Sequence, residues 1–124
     1  MAISHLRAKR KPSGGRYKKI TKKLRHKGNL PTLTHIGEPR ITKLRTRGNN
    51  PKVRLLTTNL ANVYDPKSKK YFKSKIESVI ESPSNRNFVR RNILTKGTVI
   101  KTEKGNAKVT SRPGQEKTVN AILV

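Results

Sequence analysis

A chain of 124 residues in which 31 lysines and arginines face 6 acids, a formal charge of +25, opposes its own compaction and calls for a polyanion, nucleic acid before any other. Without a single cysteine it has neither a disulfide scaffold nor a thiolate zinc ribbon. The longest apolar run, Ala121 to Val124, is too short to span a bilayer, and the N-terminus lacks the apolar segment of a secretory signal, so no membrane partner and a cytosolic location are expected.

The apolar residues indicate where the folded part lies. Of 29 Leu, Ile, Val and Phe residues, 6 fall in residues 1–35 and 23 in the remaining 89. Charge divides similarly: up to Arg54, 17 basic residues face only Glu38, and residues 1–37 contain no acid. Residues 1–36 therefore read as a basic N-terminal extension ordered on RNA, and residues 37–124 as one β-barrel domain. In the extension no period of 3.6 or 2 persists. Tyr17, Ile20 and Leu24 can line one side of a short helix, but neighbouring cations crowd it, so extended chain or partner-induced helix is expected.

Beyond Gly37, short segments rich in Val, Ile, Thr and Tyr alternate with Gly, Pro and Asn pairs. Arg40 to Arg45 reads as a strand and "RGNNP" at 47–51 as a turn. From Lys52 to Tyr64, Val53, Leu55, Ala61 and Val63 share one parity and Leu56, Leu60 and Tyr64 the other, as in a strand that bends between two layers or into a barrel. "DPKSKK" at 65–70 is a second turn. Tyr71 to Ser82 places Phe72, Ile76 and Ile80 on one side, a spacing that fits strand and helix alike. Pro83 ends it, and Ser84 or Asn85 can cap one short helical turn with Phe88 and Val89 inward. Three brief strands follow, Thr98 to Glu103, Ala107 to Thr110 and Thr118 to Val124, with turns at Lys104-Gly105-Asn106 and Arg112-Pro113-Gly114. The pattern predicts a mainly β fold: a small closed or nearly closed antiparallel barrel of about six short strands.

Catalysis finds no support. There is no P-loop and no nucleophile elbow, and the close carboxylates Glu77 and Glu81 stand beside Lys73 and Lys75, as charge-balancing residues do. His5, His26 and His35 are scattered without metal-ligand spacing. No catalytic residue, metal, cofactor or small-molecule substrate is expected. The basic residues carry the signal, because a merely solvated face interleaves acids. Arg7, Lys9, Arg10, Lys11, Arg16, Lys18, Lys19, Lys22, Lys23, Arg25 and Lys27 form the first group of candidate phosphate contacts. Within it, Ser13, Gly14 and Gly15 can form an anion nest in which Ser13 donates and Arg16 clamps. Arg45, Arg47, Lys52 and Arg54 bracket the Gly48 turn. Arg86, Arg90, Arg91 and Lys96 cluster near Phe88 and Asn92, and Arg112 sits on its Pro-Gly turn. Aromatics are only 4% of the chain and form no base-stacking triplet, so recognition by phosphate position and shape of a large folded RNA is expected. An architectural DNA-binding chromatin protein shares the charge, but neither apolar wedges nor a symmetric ribbon is present.

Four segments, "KPSGGR" (11–16), "RTRGNNPKVRLL" (45–56), "NFVRRNILTKGTVI" (87–100) and "VTSRPGQEKTVNAILV" (109–124), resemble in order, over nearly the whole chain, the small-subunit ribosomal protein eight family of eukaryotes and archaea (eS-eight). The compact length is similar to that of archaeal members. The resemblance implies a β-barrel with a basic extension in ribosomal RNA and a structural, non-catalytic role in the small subunit of the cytoplasmic ribosome. Its implied partners are small-subunit ribosomal RNA and neighbouring small-subunit ribosomal proteins. Lys11, Gly14, Gly15 and Arg16 match the family's Gly-Gly signature, and Arg45, Arg47, Gly48, Lys52 and Arg54 its Arg/Gly-rich hairpin. Asn49 replaces a glycine common in the family, a change that positive φ tolerates. Pro51 holds Asn50 extended, and Thr57 replaces a basic residue.

Overall fold

The computed structural model of the protein describes residues 8–18, 23–26 and 28–124. Its contacts divide the chain into two units, Met1–Pro31 and Thr32–Val124. In the first, Leu24–His26 form a 3-10 turn and Arg10 pairs antiparallel with Arg16. The second carries strands β1 (Thr34–Ile36), β2 (Arg40–Arg45), β3 (Pro51–Thr58), β4 (Leu60–Asp65), β5 (Lys70–Glu81), β6 (Ile93–Leu94), β7 (Val99–Thr102), β8 (Gly105–Val109) and β9 (Asn120–Leu123). Helix α1 (Arg86–Arg90) lies between β5 and β6.

Strands β4, β5, β7, β8 and β9 close into a barrel, while β2, β3, β1 and β6, in that order, form a second sheet. The mainly β barrel expected from the sequence is present. Each step from β4 through β5, β7 and β8 to β9 is antiparallel. With an odd number of strands the first and last must then run the same way, so the closing seam is parallel, with Asn62 opposite Asn120 and Tyr64 opposite Ile122.

Nine described strands replace the expected six for two reasons. The continuous Lys52 to Tyr64 segment breaks at Asn59, whose carbonyl accepts from the Ile76 amide at 2.8 Å, and sends β3 to the second sheet and β4 to the barrel. Strands β1 and β6, of 3 and 2 residues, are too short to show a period and exist through tertiary pairing, Thr34 opposite Leu94 and His35 opposite Ile93. Residues 34–36, at the end of the expected extension, are thus hydrogen-bonded within the second unit. Thr34 is fully buried there and donates its hydroxyl to the Leu55 carbonyl at 2.8 Å.

The ambiguous segment at 71–82 is strand, but its inward face changes parity. Register shifts against β7, between Ile76 and Ser78 and between Val79 and Glu81, turn Val79 into the core. Ile80, expected inside with Phe72 and Ile76, is 46% exposed, because each bulge residue flips the side chains that follow it.

A five-stranded barrel has a narrow interior, and the sequence fills it with small and branched residues: Ala61, Val63, Ile76, Ile100, Ala107, Val109 and Ala121 are all buried. Ala107 therefore has no space to grow. Ala107→Leu is expected to destabilise the protein by about 1–3 kcal/mol by overpacking. Urea denaturation should show a lower midpoint with the slope kept, and an unchanged midpoint would mean the interior is not filled.

Candidate nucleic-acid interface

Of the first group of cations, Lys9, Arg10, Lys11 and Arg16 are displayed on a hairpin, with Lys18 just beyond it. The Gly14 amide donates to the Lys11 carbonyl at 3.0 Å and the Lys11 amide to the Gly15 carbonyl at 2.7 Å. This is the three-residue loop in which a turn is followed by a left-handed residue, with Pro12 fixing the second position and Gly14 at φ +82. Of the amides expected to form the anion nest, that of Gly14 is engaged in the turn. The loop also presents side chains. Lys9, Lys11, Ser13, Arg16 and Lys18 are exposed, as are Gly14 and Gly15, and the Lys11 ammonium lies 5.7 Å from the centre of the Tyr17 ring. Arg10 is exposed too and donates to the Gly14 carbonyl at 3.0 Å. Arg10 and Arg16 are direct cross-strand partners, a like-charge pairing that is unfavourable until an anion stands between them. Lys23 is exposed just before the 3-10 turn and Arg25 within it, whereas Arg7, Lys19, Lys22 and Lys27 lie outside the described residues.

The β2–β3 hairpin carries cations on both faces. Register places Leu44 opposite Lys52 and Thr42 opposite Arg54 on one face, and Lys43 opposite Val53 and Arg45 opposite Pro51 on the other. Arg45, Arg47, Gly48 and Lys52 are exposed at or near the tip. The tip turns through consecutive left-handed residues, Gly48 at φ +74 and Asn49 at φ +59, and Asn50 is extended before Pro51, as both departures from the family pattern require. Strand β1 pairs with β3 at Thr57 and Thr58, and the chain before it reaches Leu55 through Thr34 and Arg54 through Thr32; Pro51 lies three residues further on, so the tip projects about 10 Å past that contact. Arg54 is half-buried, unlike the others, and donates to the Thr32 hydroxyl at 3.1 Å. Thr57 donates to the Glu38 carbonyl and so has a local partner.

Helix α1 begins at Asn85, whose side chain accepts from the Asn87 amide at 2.9 Å. Val89 packs against the core and Phe88 is half-buried, which leaves Arg86, Arg90 and Arg91 exposed. Asn87, Arg90 and Arg91 line a recess of about 390 Å³. The His35 ring Nδ1–H donates to the Arg91 carbonyl at 3.2 Å, tying the end of this turn to β1, and Asn92 follows in the left-handed conformation at φ +49. Lys96 is exposed on the adjoining turn before Gly97. Arg112 is exposed at the start of a turn in which its carbonyl accepts from the Gln115 amide at 2.8 Å and the Glu116 amide at 2.9 Å.

Three features escaped the sequence reading. The turn after β4 presents exposed Lys67, Lys69 and Lys70, and its three lysines were the available signal. Asp65 organises it by accepting from the Lys67 amide at 2.9 Å and the Ser68 hydroxyl at 2.8 Å. Those bonds, the Ser68 hydroxyl first, lower the Asp65 pKa below the ordinary aspartate value. The second feature is Thr32, which holds Arg54 and also abuts Gly114: a Cβ built on Gly114 would meet the Thr32 carbonyl oxygen at 2.7 Å. The Arg-Pro-Gly motif thus combines an exposed cation, a buried Pro113 and a glycine required by close backbone approach. The third is the ion pair of Glu77, made with Lys101 of β7 at 3.0 Å rather than with Lys73 or Lys75. Both side chains are about half exposed, so the pair contributes little to stability. Among the described residues no cluster of His, Asp or Glu is placed to hold a metal ion.

Two outcomes follow from this geometry. Gly114→Ala should lower stability by about 1–3 kcal/mol, because backbone rather than a flexible side chain must yield. Gly37→Ala, where the nearest atom is 3.9 Å away, should be near neutral, and equal melting temperatures for the two variants would refute the close-approach argument. The contribution of Asp65 is fully present above the ordinary carboxylate range near pH ~3.9 and is lost as pH falls through the lowered folded value. The Lys67 amide resonance should therefore shift only in that acid window.

Residues 4–124 match the family described as Ribosomal protein S8e. A small ribosomal subunit protein eS8 of Picrophilus torridus is 46% identical over 125 residues, covering 100% of both chains. That of Methanococcus aeolicus is 46% identical and spans 100% of this chain and 98% of its own, and that of Halorubrum lacusprofundi is 47% identical over 95% of each. With a β-barrel in place, the signature segments on exposed cationic turns, and a match from residue 4 to the final valine, the chain belongs to the ribosomal protein S8e family in its archaeal form, a structural and non-enzymatic class.

Proposed function

We propose that the protein is a structural constituent of the small subunit of the cytoplasmic ribosome. It binds and stabilises folded small-subunit ribosomal RNA through phosphate and shape contacts, next to other small-subunit ribosomal proteins. The observation that carries this reading is the two-faced β2–β3 hairpin, which projects with Lys43 and Arg45 on one side and Lys52 on the other. A binder of one smooth surface needs cations on one face only. A ribbon charged on both faces suits a crevice with phosphates on either wall, which compact RNA provides.

The N-terminal extension, with Lys9, Arg10, Lys11 and Arg16 on its hairpin and Arg7, Lys19, Lys22 and Lys27 before and after it in sequence, supplies a second phosphate-binding element that takes its order from the RNA. Arg86, Arg90, Arg91, Lys96 and Arg112 add contacts from the barrel domain. The relatives named above are small-subunit proteins, which supports the assignment of partner.

Binding of the full chain to small-subunit ribosomal RNA, followed against salt with duplex DNA as competitor, tests the reading. For about ten neutralised phosphates the log–log slope should be about −7 to −9. Changing Lys9, Arg10, Lys11 and Arg16 together to Gln should make it shallower by about 3. Equal affinity for duplex DNA at matched salt would instead favour an architectural DNA-binding protein.

A further inference from the structure

On the outer surface of the barrel, strand register aligns a set of side chains that phosphate binding leaves unused. Ile122 of β9 stands opposite Tyr64 of β4, and Tyr64 opposite Tyr71 of β5, so the three share one outward row. The next outward row along the strands is Asn120, Asn62 and Lys73. Together these residues line a groove of about 580 Å³. Lys108, opposite Ile122, continues the aromatic row at its far end.

The chemistry of the groove is particular. Tyr71 is 78% exposed, although its ring sits only 4.7 Å, centre to centre, from that of Tyr64 at an angle of 37°. A tilted pair of this kind supports the Tyr71 ring from one side without covering it. Asn62 Nδ2 donates to Asn120 Oδ1 at 3.1 Å, which orients both amides and leaves the Asn62 oxygen as acceptor and the Asn120 nitrogen as donor for a ligand.

We infer that this groove takes one unpaired nucleotide of the bound RNA, its base stacked on Tyr71 and its edge read by the Asn62–Asn120 amide pair, with Lys73 and Lys108 toward the flanking phosphates. The inference rests on the RNA-binding reading and names a subsite of it. An exposed ring on a strand surface stacks any base, and an amide acceptor beside a donor matches the polar edge that an unpaired base presents. Charge decides between occupants: a rim of lysines complements a phosphodiester chain. An apolar segment of a neighbouring protein would instead leave the amides desolvated and the lysines unpaired.

The test uses the full chain with two probes of equal phosphate number, an unpaired oligoadenylate and a fully paired RNA duplex, in wild type, Tyr71→Leu and Tyr71→Phe. With no tryptophan in the chain, the emission comes from Tyr17, Tyr64 and Tyr71, so stacking on Tyr71 is read as the part of the quenching by oligoadenylate that Tyr71→Leu removes. Tyr71→Leu should weaken oligoadenylate binding about tenfold at every salt concentration, since stacking releases no counterions, and leave the duplex unaffected. Tyr71→Phe should retain wild-type affinity. Loss on both RNAs alike, or no loss on oligoadenylate, overturns the subsite while the ribosomal reading stands. Unchanged RNA binding with poorer incorporation into reconstituted subunits overturns it in favour of a protein neighbour. Failure of the wild type to bind any RNA, small-subunit RNA included, overturns the functional reading and the subsite with it.

Discussion

The structure depends on closure of the backbone ladder. Strand β4 is hydrogen-bonded to β5 on one side and to β9 on the other; the seam is fastened at one end by the Asn62 amide donating to the Val119 carbonyl at 2.8 Å, and β9 is held to β8 where the Val124 amide donates to the Asn106 carbonyl at 3.0 Å. A chain with a charge of +25 has few apolar residues to spend on a second layer over its sheet. Closing the sheet on itself removes exposed edges and encloses a core with the fewest side chains. The interior residues agree with that economy: Ala61, Ala107 and Ala121 let the strands approach, and the larger Ile76 and Ile100 fill the remaining space.

With the core closed, every cation of the barrel domain named as a phosphate contact lies outside it, on the β2–β3 hairpin, on α1 and the residue after it, and on the turns that hold Lys96 and Arg112. Turns give charged side chains room to diverge, whereas a regular antiparallel pair places them opposite one another, as Arg10 and Arg16 show. The second sheet gives this display its framework. β3 leaves the barrel at Asn59 and runs out to the Gly48–Asn49 turn. Behind it the buried Thr34 hydroxyl holds Leu55, and Thr32 holds Arg54. Gly114 permits Thr32 to sit where it does, so the Arg-Pro-Gly turn supports a hairpin more than fifty residues away in sequence.

On the function and subsite proposed above, phosphate contacts and the aromatic groove divide recognition between two kinds of force. The cationic tips act over a Debye length and are insensitive to base identity. The Tyr64–Tyr71 face acts only on contact and only on a base that has left its stack. A protein combining the two responds to where the phosphates run and to where the RNA is unpaired.

The sequence by itself determined the class of partner, the mainly β fold and the barrel, because charge imbalance, β-branched segments and turn pairs act locally and survive without knowledge of neighbours. It also located the Gly48 turn and the α1 cap, each set by one or two residues. Tertiary structure alone decided the rest. Two- and three-residue strands such as β6 and β1 have no period to read. The bulges in β5 exchange Val79 for Ile80 in the core without a local mark. The Gly14 amide could be assigned to a hairpin turn only once the Lys11 carbonyl was seen to accept it. And a composition of 4% aromatics gives no sign that two tyrosines seven residues apart share one outward row, since that depends on the antiparallel register of β4 and β5, a nonlocal pairing that no short window of sequence contains.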